Sequence, residues 1–280
     1  MAAFCLVALA CLAGCAPAAA RVPAGPSGTR TVTVHVGTDR AAIVHHAASA
    51  AAGAPLVVVL HGARGTAADM RANLGWDALA DREGLVVAYP DGLGRTWNAG
   101  RCCGPARDRG VDDVGFLDTL VATLRRDDAI GPVYAVGFSN GAMMSYAWAC
   151  ARPGTLAGIG PVAGALTVDC PAPAPLAVVA VHGTRDDRVP VDGGRGPSGV
   201  VFRSFDASLA PFRRAAACPA TGTATDAAPA HVDVRVCAGH EVVSDVVDGL
   251  PHLWPGAGPD AGTTDGPLDA TGFLWTHLRP

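Results

Sequence analysis

Short apolar runs of strand length alternate along the chain with longer stretches of helical character. Predicted strands lie at residues 31–36, 56–60, 85–89, 133–137, 159–163, 176–181, 231–236 and 241–247. Predicted helices lie at residues 67–82, 114–126, 141–152, 205–217 and 271–278. Continuous apolar runs indicate strands that are buried on both faces, and alternation with helices is typical of parallel strands joined by helical crossovers. The pattern predicts an α/β fold with a mostly parallel central sheet and helices on both faces.

The first 20 residues form an apolar run that ends in small residues and is too short to span a bilayer as a mature helix. They are interpreted as a signal peptide. Residues 12–15, Leu-Ala-Gly-Cys, resemble a bacterial lipobox and predict lipidation of Cys15; the alternative is an ordinary secretory peptide cut near residues 18–20. Residues 21–30 are rich in Pro, Gly and Ala and are expected to be a tether, which leaves residues 31–280 as one domain.

Composition restricts the function classes. All 21 basic residues are arginine, the net charge is −4, and no basic stripe suggests a nucleic-acid partner. The absence of lysine excludes Ser–Lys chemistry. We expect an exported monomer, extracellular or lipid-anchored on the outer face of a bacterial membrane, which needs no metal and no organic cofactor and meets the membrane only through its anchor.

Three of the nine cysteines lie in the leader, and the remaining six are an even number in an exported chain, which favours disulfides over metal ligation. Cys218 follows a predicted helix and Cys237 ends a predicted strand, so we expect these two to bond. Pairing stays open for Cys102, Cys103, Cys150 and Cys170. A bond between the two adjacent cysteines is disfavoured, because it would strain the backbone locally.

Residues 137–141, Gly-Phe-Ser-Asn-Gly, lie directly between a predicted strand and a predicted helix. A sharp turn that exposes a nucleophilic serine needs glycine on both sides, since a side chain there would collide with the neighbouring strand and helix. Ser139 is therefore the candidate nucleophile. The alternative interpretation is a glycine-rich turn without catalytic function.

A serine hydroxyl needs a base and an orienting acid, which follow it in the order acid, then histidine, in folds of this kind. Asp186 lies in the turn beyond the strand at 176–181 and is the preferred acid; its neighbour Asp187 should point elsewhere. Weaker candidates are Asp169 and Asp192. The preferred base is His252, in a Pro- and Gly-rich loop after the strand at 241–247.

Other histidines have ordinary structural explanations: His231 begins a strand, His240 lies in a hairpin turn and His277 lies in the last helix. The backbone N–H groups of Asn140 and Ala63 are the expected oxyanion donors, one after the nucleophile and one after the strand at 56–60. His61 precedes the serine, which breaks the expected order for a base, and is predicted to shape the donor loop.

The loop from residue 97 to residue 116 carries adjacent carboxylates and a large aromatic residue. Paired carboxylates can indicate glycosidase chemistry, but Asp112 is better interpreted as a helix N-cap with Asp113 in the first turn. Trp97 and Trp254 are predicted to shape the acyl or alcohol pocket.

Several motifs together resemble the secreted polyhydroxybutyrate depolymerase and feruloyl or acetyl xylan esterase group, carbohydrate esterase family one in the broad sense. They are LHG at 60–62, WNAGRCCG at 97–104, VDDVGF at 111–116, GFSNGAMMSY at 137–146, HGTRD at 182–186 and PHLWPG at 251–256. The resemblance covers residues 31–278 and implies an α/β-hydrolase fold, a triad of Ser139, Asp186 and His252, and an acyl-serine mechanism on esters.

The chain departs from the group at Leu250-Pro251, where members often carry glycines. No polymer-binding module follows the last predicted helix, so soluble or short-chain esters, including hydroxyalkanoate or aromatic acyl esters, are the expected substrates. Two alternatives remain: transfer of the acyl group to a cell-envelope sugar or lipid, and a lipid-anchored binding protein on a decayed hydrolase scaffold. A decayed scaffold should have lost a triad member, and all three are present in order.

Overall fold

The computed structural model describes residues 27–197, 199–258 and 268–279. Twelve strands form within them: β1 (Gly28–Val36), β2 (Thr38–His46), β3 (Leu56–Leu60), β4 (Val86–Pro90), β5 (Val133–Phe138), β6 (Gly158–Val162), β7 (Ala177–Gly183), β8 (Gly194–Arg195), β9 (Val201–Phe202), β10 (Thr223–Ala227), β11 (Ala230–Val236) and β12 (Glu241–Val247). The predicted signal peptide and Cys15 lie outside the described residues.

Seven α-helices accompany these strands: α1 (Ala67–Asn73), α2 (Trp76–Glu83), α3 (Gly104–Asp108), α4 (Asp113–Asp128), α5 (Asn140–Ala151), α6 (Phe205–Ala215) and α7 (Ala270–Leu278). A single 3₁₀ turn spans Leu93–Arg95. Asp112 caps α4 by accepting the Gly115 N–H at 2.8 Å, as the sequence predicts. Within the described residues, every helix is too short or too polar to cross a membrane.

Ten strands form one sheet in the order β1-β2-β4-β3-β5-β6-β7-β12-β11-β10, while β8 and β9 pair separately. Neighbours from β4 through β12 run parallel, and the pairs at both edges run antiparallel. All five residues of β3 are buried, as are all five of β4, so helices and loops cover both faces of the sheet there. The structure confirms the predicted α/β class.

The strand predicted at residues 31–36 lies within β1, but the sequence pattern does not predict its hairpin partner β2. β1 begins at Gly28, inside the segment assigned to the tether, and pairs along its whole length with β2. Gly37 turns the chain between the two strands with a φ of +68°. Because β2 contains polar residues such as Arg40 and His46 that are nevertheless buried, its apolar signal was too weak to indicate a strand.

The helix predicted over residues 67–82 is two helices. α1 ends at Asn73, and Gly75, with a φ of +70°, precedes α2. That left-handed backbone conformation suits glycine and interrupts a continuous helix.

Three disulfides join the six described cysteines. Cys218–Cys237 links the end of α6 to the end of β11, the expected bond, and Cys150–Cys170 links α5 to the loop after β6. The third joins the adjacent residues Cys102 and Cys103, contrary to the sequence argument. The loop around this pair is fixed by backbone hydrogen bonds, among them Ala99 N–H to Cys102 O at 2.8 Å.

Candidate active site

Ser139 occupies the turn between β5 and α5 with a φ of 54° and a ψ of −115°. A positive φ at a residue other than glycine is strained and is concentrated at functional sites. The Ser139 N–H donates to Val162 O at 2.9 Å and holds the turn against β6. A Cβ atom at Gly137 would collide with the backbone of Gly141, and one at Gly141 with the carbonyl of Leu60, so both positions require glycine.

Ser139, His252 and Asp186 form a continuous hydrogen-bonded chain. His252 Nε2 lies 2.9 Å from Ser139 Oγ, and His252 Nδ1 lies 2.8 Å from Asp186 Oδ2. The serine follows β5, the aspartate follows β7 and the histidine lies beyond β12. These strands are parallel, so their carboxyl ends meet at one edge of the sheet, where ligands bind in open α/β folds.

Asp186 is buried and surrounded by hydrogen-bond donors. Its Oδ1 accepts the N–H groups of Arg188 at 2.9 Å and Val189 at 2.8 Å, and its Oδ2 lies 3.3 Å from His182 Nε2 besides contacting His252. Burial would raise the pKa of Asp186, but these hydrogen bonds outweigh it and hold the pKa well below its usual range. Asp186 is therefore ionised at neutral pH and can stabilise an imidazolium on His252.

In the described structure, the neighbouring Asp187 makes no hydrogen bond to His252. Its side chain is 81 % exposed, against 0 % for Asp186, and it lies 3.6 Å from Arg188 Nε in a loose ion pair. The geometry thus favours Asp186 as the orienting acid.

Ala63 and Asn140 lie at the cleft beside Ser139. Asn140 is the first residue of α5, where backbone N–H groups have no intrahelical acceptor and the helix dipole favours negative charge. Among the loop, turn and cap hydrogen bonds of the described residues, none is donated by the backbone N–H of Ala63 or of Asn140. Both groups are available to a developing oxyanion.

His61 is fully buried, and both of its ring nitrogens are occupied by backbone groups. Its Nε2 accepts the Gly92 N–H at 2.9 Å, so the proton lies on Nδ1, which donates to Gly62 O at 2.8 Å. Burial lowers the pKa of His61, which keeps the ring neutral. His61 holds the loop that carries Ala63.

The cleft above the triad has a volume of about 520 Å³. Its wall is largely apolar, and its charged groups are three exposed side chains. The apolar lining is Phe138, Met143, Val189, Pro197, Phe202, Pro251 and the bonded pair Cys102 and Cys103; the charged lining is Arg64, Asp187 and Arg188. Sequence reasoning missed the disulfide wall, for which the Cys-Cys doublet of the 97–104 motif was the available signal.

The two tryptophans predicted to shape the pocket are not among the residues that line it. Trp97 is 0 % exposed and donates its indole N–H to His61 O at 2.9 Å, beneath the oxyanion loop. Trp254 is 4 % exposed and donates to Thr271 Oγ1 at 3.2 Å. Large amphipathic rings are buried where their N–H finds an acceptor, and both indoles have one here.

Comparison with known proteins gives the family. A profile described as Esterase PHB depolymerase matches residues 40–207. The putative esterase NocK of Nocardia uniformis subsp. tsuyamanensis is 30 % identical over 271 residues, which cover 86 % of this chain and 78 % of NocK. Feruloyl esterase B of Piromyces equi is 29 % identical over 153 residues, which cover 50 % of this chain and 28 % of that protein.

Among solved structures, an acetyl xylan esterase from Aspergillus awamori superposes with a TM-score of 0.63 at 15 % identity, covering 88 % of this chain and all of the other. At that identity the likeness shows the fold alone. The fold and the extent of the profile match confirm the resemblance inferred from the motifs. This chain belongs to the Esterase PHB depolymerase family.

Proposed function

We propose that this protein is an exported serine esterase that cleaves carboxylic esters through an acyl-enzyme. The observation that carries the proposal is the unbroken chain from Ser139 through His252 to Asp186, at 2.9 and 2.8 Å, with the serine in a strained turn at the floor of a cleft. Family membership supports the same chemistry, since the matched profile is an esterase profile.

In the first step, Ser139 Oγ attacks the ester carbonyl carbon as its proton passes to His252 Nε2. The carbonyl oxygen becomes an oxyanion, to which the N–H groups of Ala63 and Asn140 donate. His252 then gives the proton to the leaving alcohol oxygen, the C–O bond breaks, and the acyl group remains on Ser139. In the second step, His252 takes a proton from water as the water oxygen attacks the acyl carbon; it then returns that proton to Ser139 Oγ as the bond between the acyl carbon and Oγ breaks and the acid leaves.

Asp186 fixes the histidine during both steps. Its Oδ2 accepts a hydrogen bond from the N–H at Nδ1 of His252, which leaves Nε2 free to accept the hydrogen bond of the Ser139 hydroxyl. Because the carboxylate is ionised, it also stabilises the positive ring that forms when the serine proton is transferred.

The cleft supports short-chain, hydroxyalkanoate or aromatic acyl esters as substrates. Its volume of about 520 Å³ suits a small acyl or aromatic group, and Met143, Phe202 and the Cys102–Cys103 pair provide apolar contact beside the nucleophile.

Export is supported by the disulfides, which persist in oxidising compartments, and by the leader-like residues 1–20. Lipidation at Cys15 would hold the enzyme at the outer face of a membrane.

The test is hydrolysis of p-nitrophenyl acetate, butyrate and octanoate by wild type and by Ser139→Ala. The matched control is Ser145→Ala, a buried serine of α5 whose Oγ donates to Ala142 O at 2.8 Å. Wild type and the control should turn over, while Ser139→Ala should lose about 10⁵- to 10⁶-fold in kcat.

Two results would count against the proposal. Activity that survives in Ser139→Ala would exclude this nucleophile. A folded wild type that accumulates acyl-Ser139 by mass spectrometry, but releases it only to an added alcohol, would replace hydrolysis with acyl transfer.

A further inference from the structure

We infer that Trp97 is a positioning residue that holds the two oxyanion donors, Ala63 and Asn140, in a fixed mutual geometry. The inference rests on the proposed function, because it concerns how the oxyanion site of that esterase is assembled. It also assigns a role to the conspicuous 97–104 motif, whose tryptophan lies below the cleft instead of lining it.

The first arm joins Trp97 to Asn140 by two hydrogen bonds. The Trp97 backbone N–H donates to Asn140 Oδ1 at 2.7 Å, and Asn140 Nδ2 donates to Trp97 O at 3.0 Å. Both polar atoms of the Asn140 side chain thus bind the same residue, and Asn140 is 1 % exposed. Its own backbone N–H, at the start of α5, is the proposed oxyanion donor, so this pairing fixes the orientation of the residue that carries the donor.

The second arm joins Trp97 to the loop that carries Ala63. The indole Nε1–H donates to His61 O at 2.9 Å, two residues before Ala63, and the two rings lie with centroids 4.9 Å apart. His61 is itself bound to the Gly92 N–H. The backbone of Trp97 therefore binds the side of the oxyanion site that carries Asn140, and its indole binds the loop that carries Ala63.

Trp97 is immobilised from behind. The N–H of Asn98 donates to Asp113 Oδ2 at 2.7 Å, and Asp113 Oδ1 lies 2.6 Å from Arg40 Nη2, a buried ion pair. The Arg40 guanidinium lies 3.7 Å from the centroid of the Phe116 ring and 5.7 Å from that of Trp97. A tryptophan packed on a buried, paired arginine has little freedom, which suits a fixed spacer.

Donors that are already in place stabilise an oxyanion without reorganising during the reaction. A small displacement of such groups lowers the rate without weakening ground-state binding, because the oxyanion exists only near the transition state. Loss of the indole N–H should therefore appear in kcat and in the affinity for a tetrahedral adduct, and not in KM.

The experiment compares Trp97→Phe with Trp148→Phe. Trp148 is equally buried and also donates its indole N–H to a single acceptor, Asp118 Oδ1, at 2.8 Å, but it lies away from the cleft lining. For p-nitrophenyl butyrate, Trp97→Phe should lower kcat by about 10- to 100-fold, below the roughly 10²- to 10³-fold loss that follows removal of a whole oxyanion donor. KM should stay within about twofold.

The inhibition constant of phenylboronic acid, which forms a tetrahedral adduct on a catalytic serine, should rise by a factor similar to the fall in kcat. Trp148→Phe should leave kcat and the inhibition constant within about threefold of wild type, even if its melting temperature falls as much as that of Trp97→Phe. Equal kinetic losses in the two variants, measured where both are folded, would overturn the inference. A rise in KM at unchanged kcat would overturn it too.

Asn140→Ala removes the first arm while keeping the backbone N–H, and it decides the matter if Trp97→Phe does not fold. Asn140→Ala should lower kcat and boronate affinity together; unchanged boronate affinity would refute the positioning role of Trp97. Failure of the esterase proposal is a separate result, because it would be seen in wild type and Ser139→Ala before Trp97→Phe or Asn140→Ala is measured.

Discussion

Two adjacent parallel strands, β7 and β12, are each associated with a buried carboxylate, and the two groups behave in opposite ways. Asp186 lies just past the carboxyl end of β7, and Asp245 lies inside β12, opposite Val181 of β7. Counting backbone and side chain together, the two residues are 6 % and 0 % exposed. The pKa of Asp186 is held well below its usual range, whereas burial raises the pKa of Asp245 to about 6.

The contrast follows from where free donors are found. In the turn past β7, the N–H groups of Arg188 and Val189 are not used by the sheet and both bind Asp186. Inside a strand, backbone N–H groups pair in the ladder, and within the described structure neither Asp245 oxygen has a well-formed hydrogen bond. The backbone and charge of His231 offset only part of the burial effect on its pKa. A strand end can thus hold a buried carboxylate ionised, while a strand interior favours the neutral acid.

The largest effect that tests this comparison is expected from Asp186→Asn. The amide keeps the shape of the carboxylate but favours the wrong tautomer of His252 and cannot stabilise an imidazolium, so kcat for p-nitrophenyl butyrate should fall by about 10⁴-fold. Steady-state kinetics on protein shown to be folded by near-UV circular dichroism measures it. A loss below about tenfold would mean that another group orients the histidine.

A smaller effect, on stability, is expected from Asp245→Asn. A folded pKa near 6 against 3.8 for the unfolded chain means that the folded state binds the proton more tightly, so the contribution of Asp245 is fully present below about pH 3.8 and is lost as pH rises through about 6. The shift corresponds to about 3 kcal/mol. Asn resembles the neutral acid, so at pH 8 the free energy of unfolding should be about 3 kcal/mol higher for Asp245→Asn than for wild type.

Urea unfolding at pH 8 and pH 4.5 measures the Asp245→Asn difference, which should shrink to about 1 kcal/mol at the lower pH. A difference that does not depend on pH would show that Asp245 is not titrating in the folded protein. Catalytic constants should be unchanged, because Asp245 lines no part of the cleft.

The same contrast explains how much the sequence predicted. The serine turn, the acid and the histidine each follow a strand whose apolar pattern is plain, and the rule that sites form at carboxyl ends of parallel strands locates them without coordinates. Strand β2 escapes the pattern because it carries buried polar residues: Arg40 is paired with Asp113, which lies far along the chain, and His46 bonds the carbonyl of its neighbour Ala47. Trp97 and Trp254 were predicted as pocket residues because sequence does not tell whether an indole N–H meets a buried acceptor.

The smallest expected effect belongs to Asp187→Asn. Asp187 has the same chain neighbourhood as Asp186 and lies at the cleft, but its carboxylate is 81 % exposed, and it forms a loose ion pair with Arg188 at 3.6 Å. Exposed ion pairs of this kind contribute about 0–1 kcal/mol, so kcat/KM for neutral esters should change less than about twofold and stability should not depend measurably on the substitution at pH 8 or pH 4.5. The two aspartates are adjacent and receive the same substitution, so the pair is a matched comparison. If Asp187→Asn lost nearly as much kcat as Asp186→Asn, position in the turn, and not the set of donors around the carboxylate, would select the residue that orients His252.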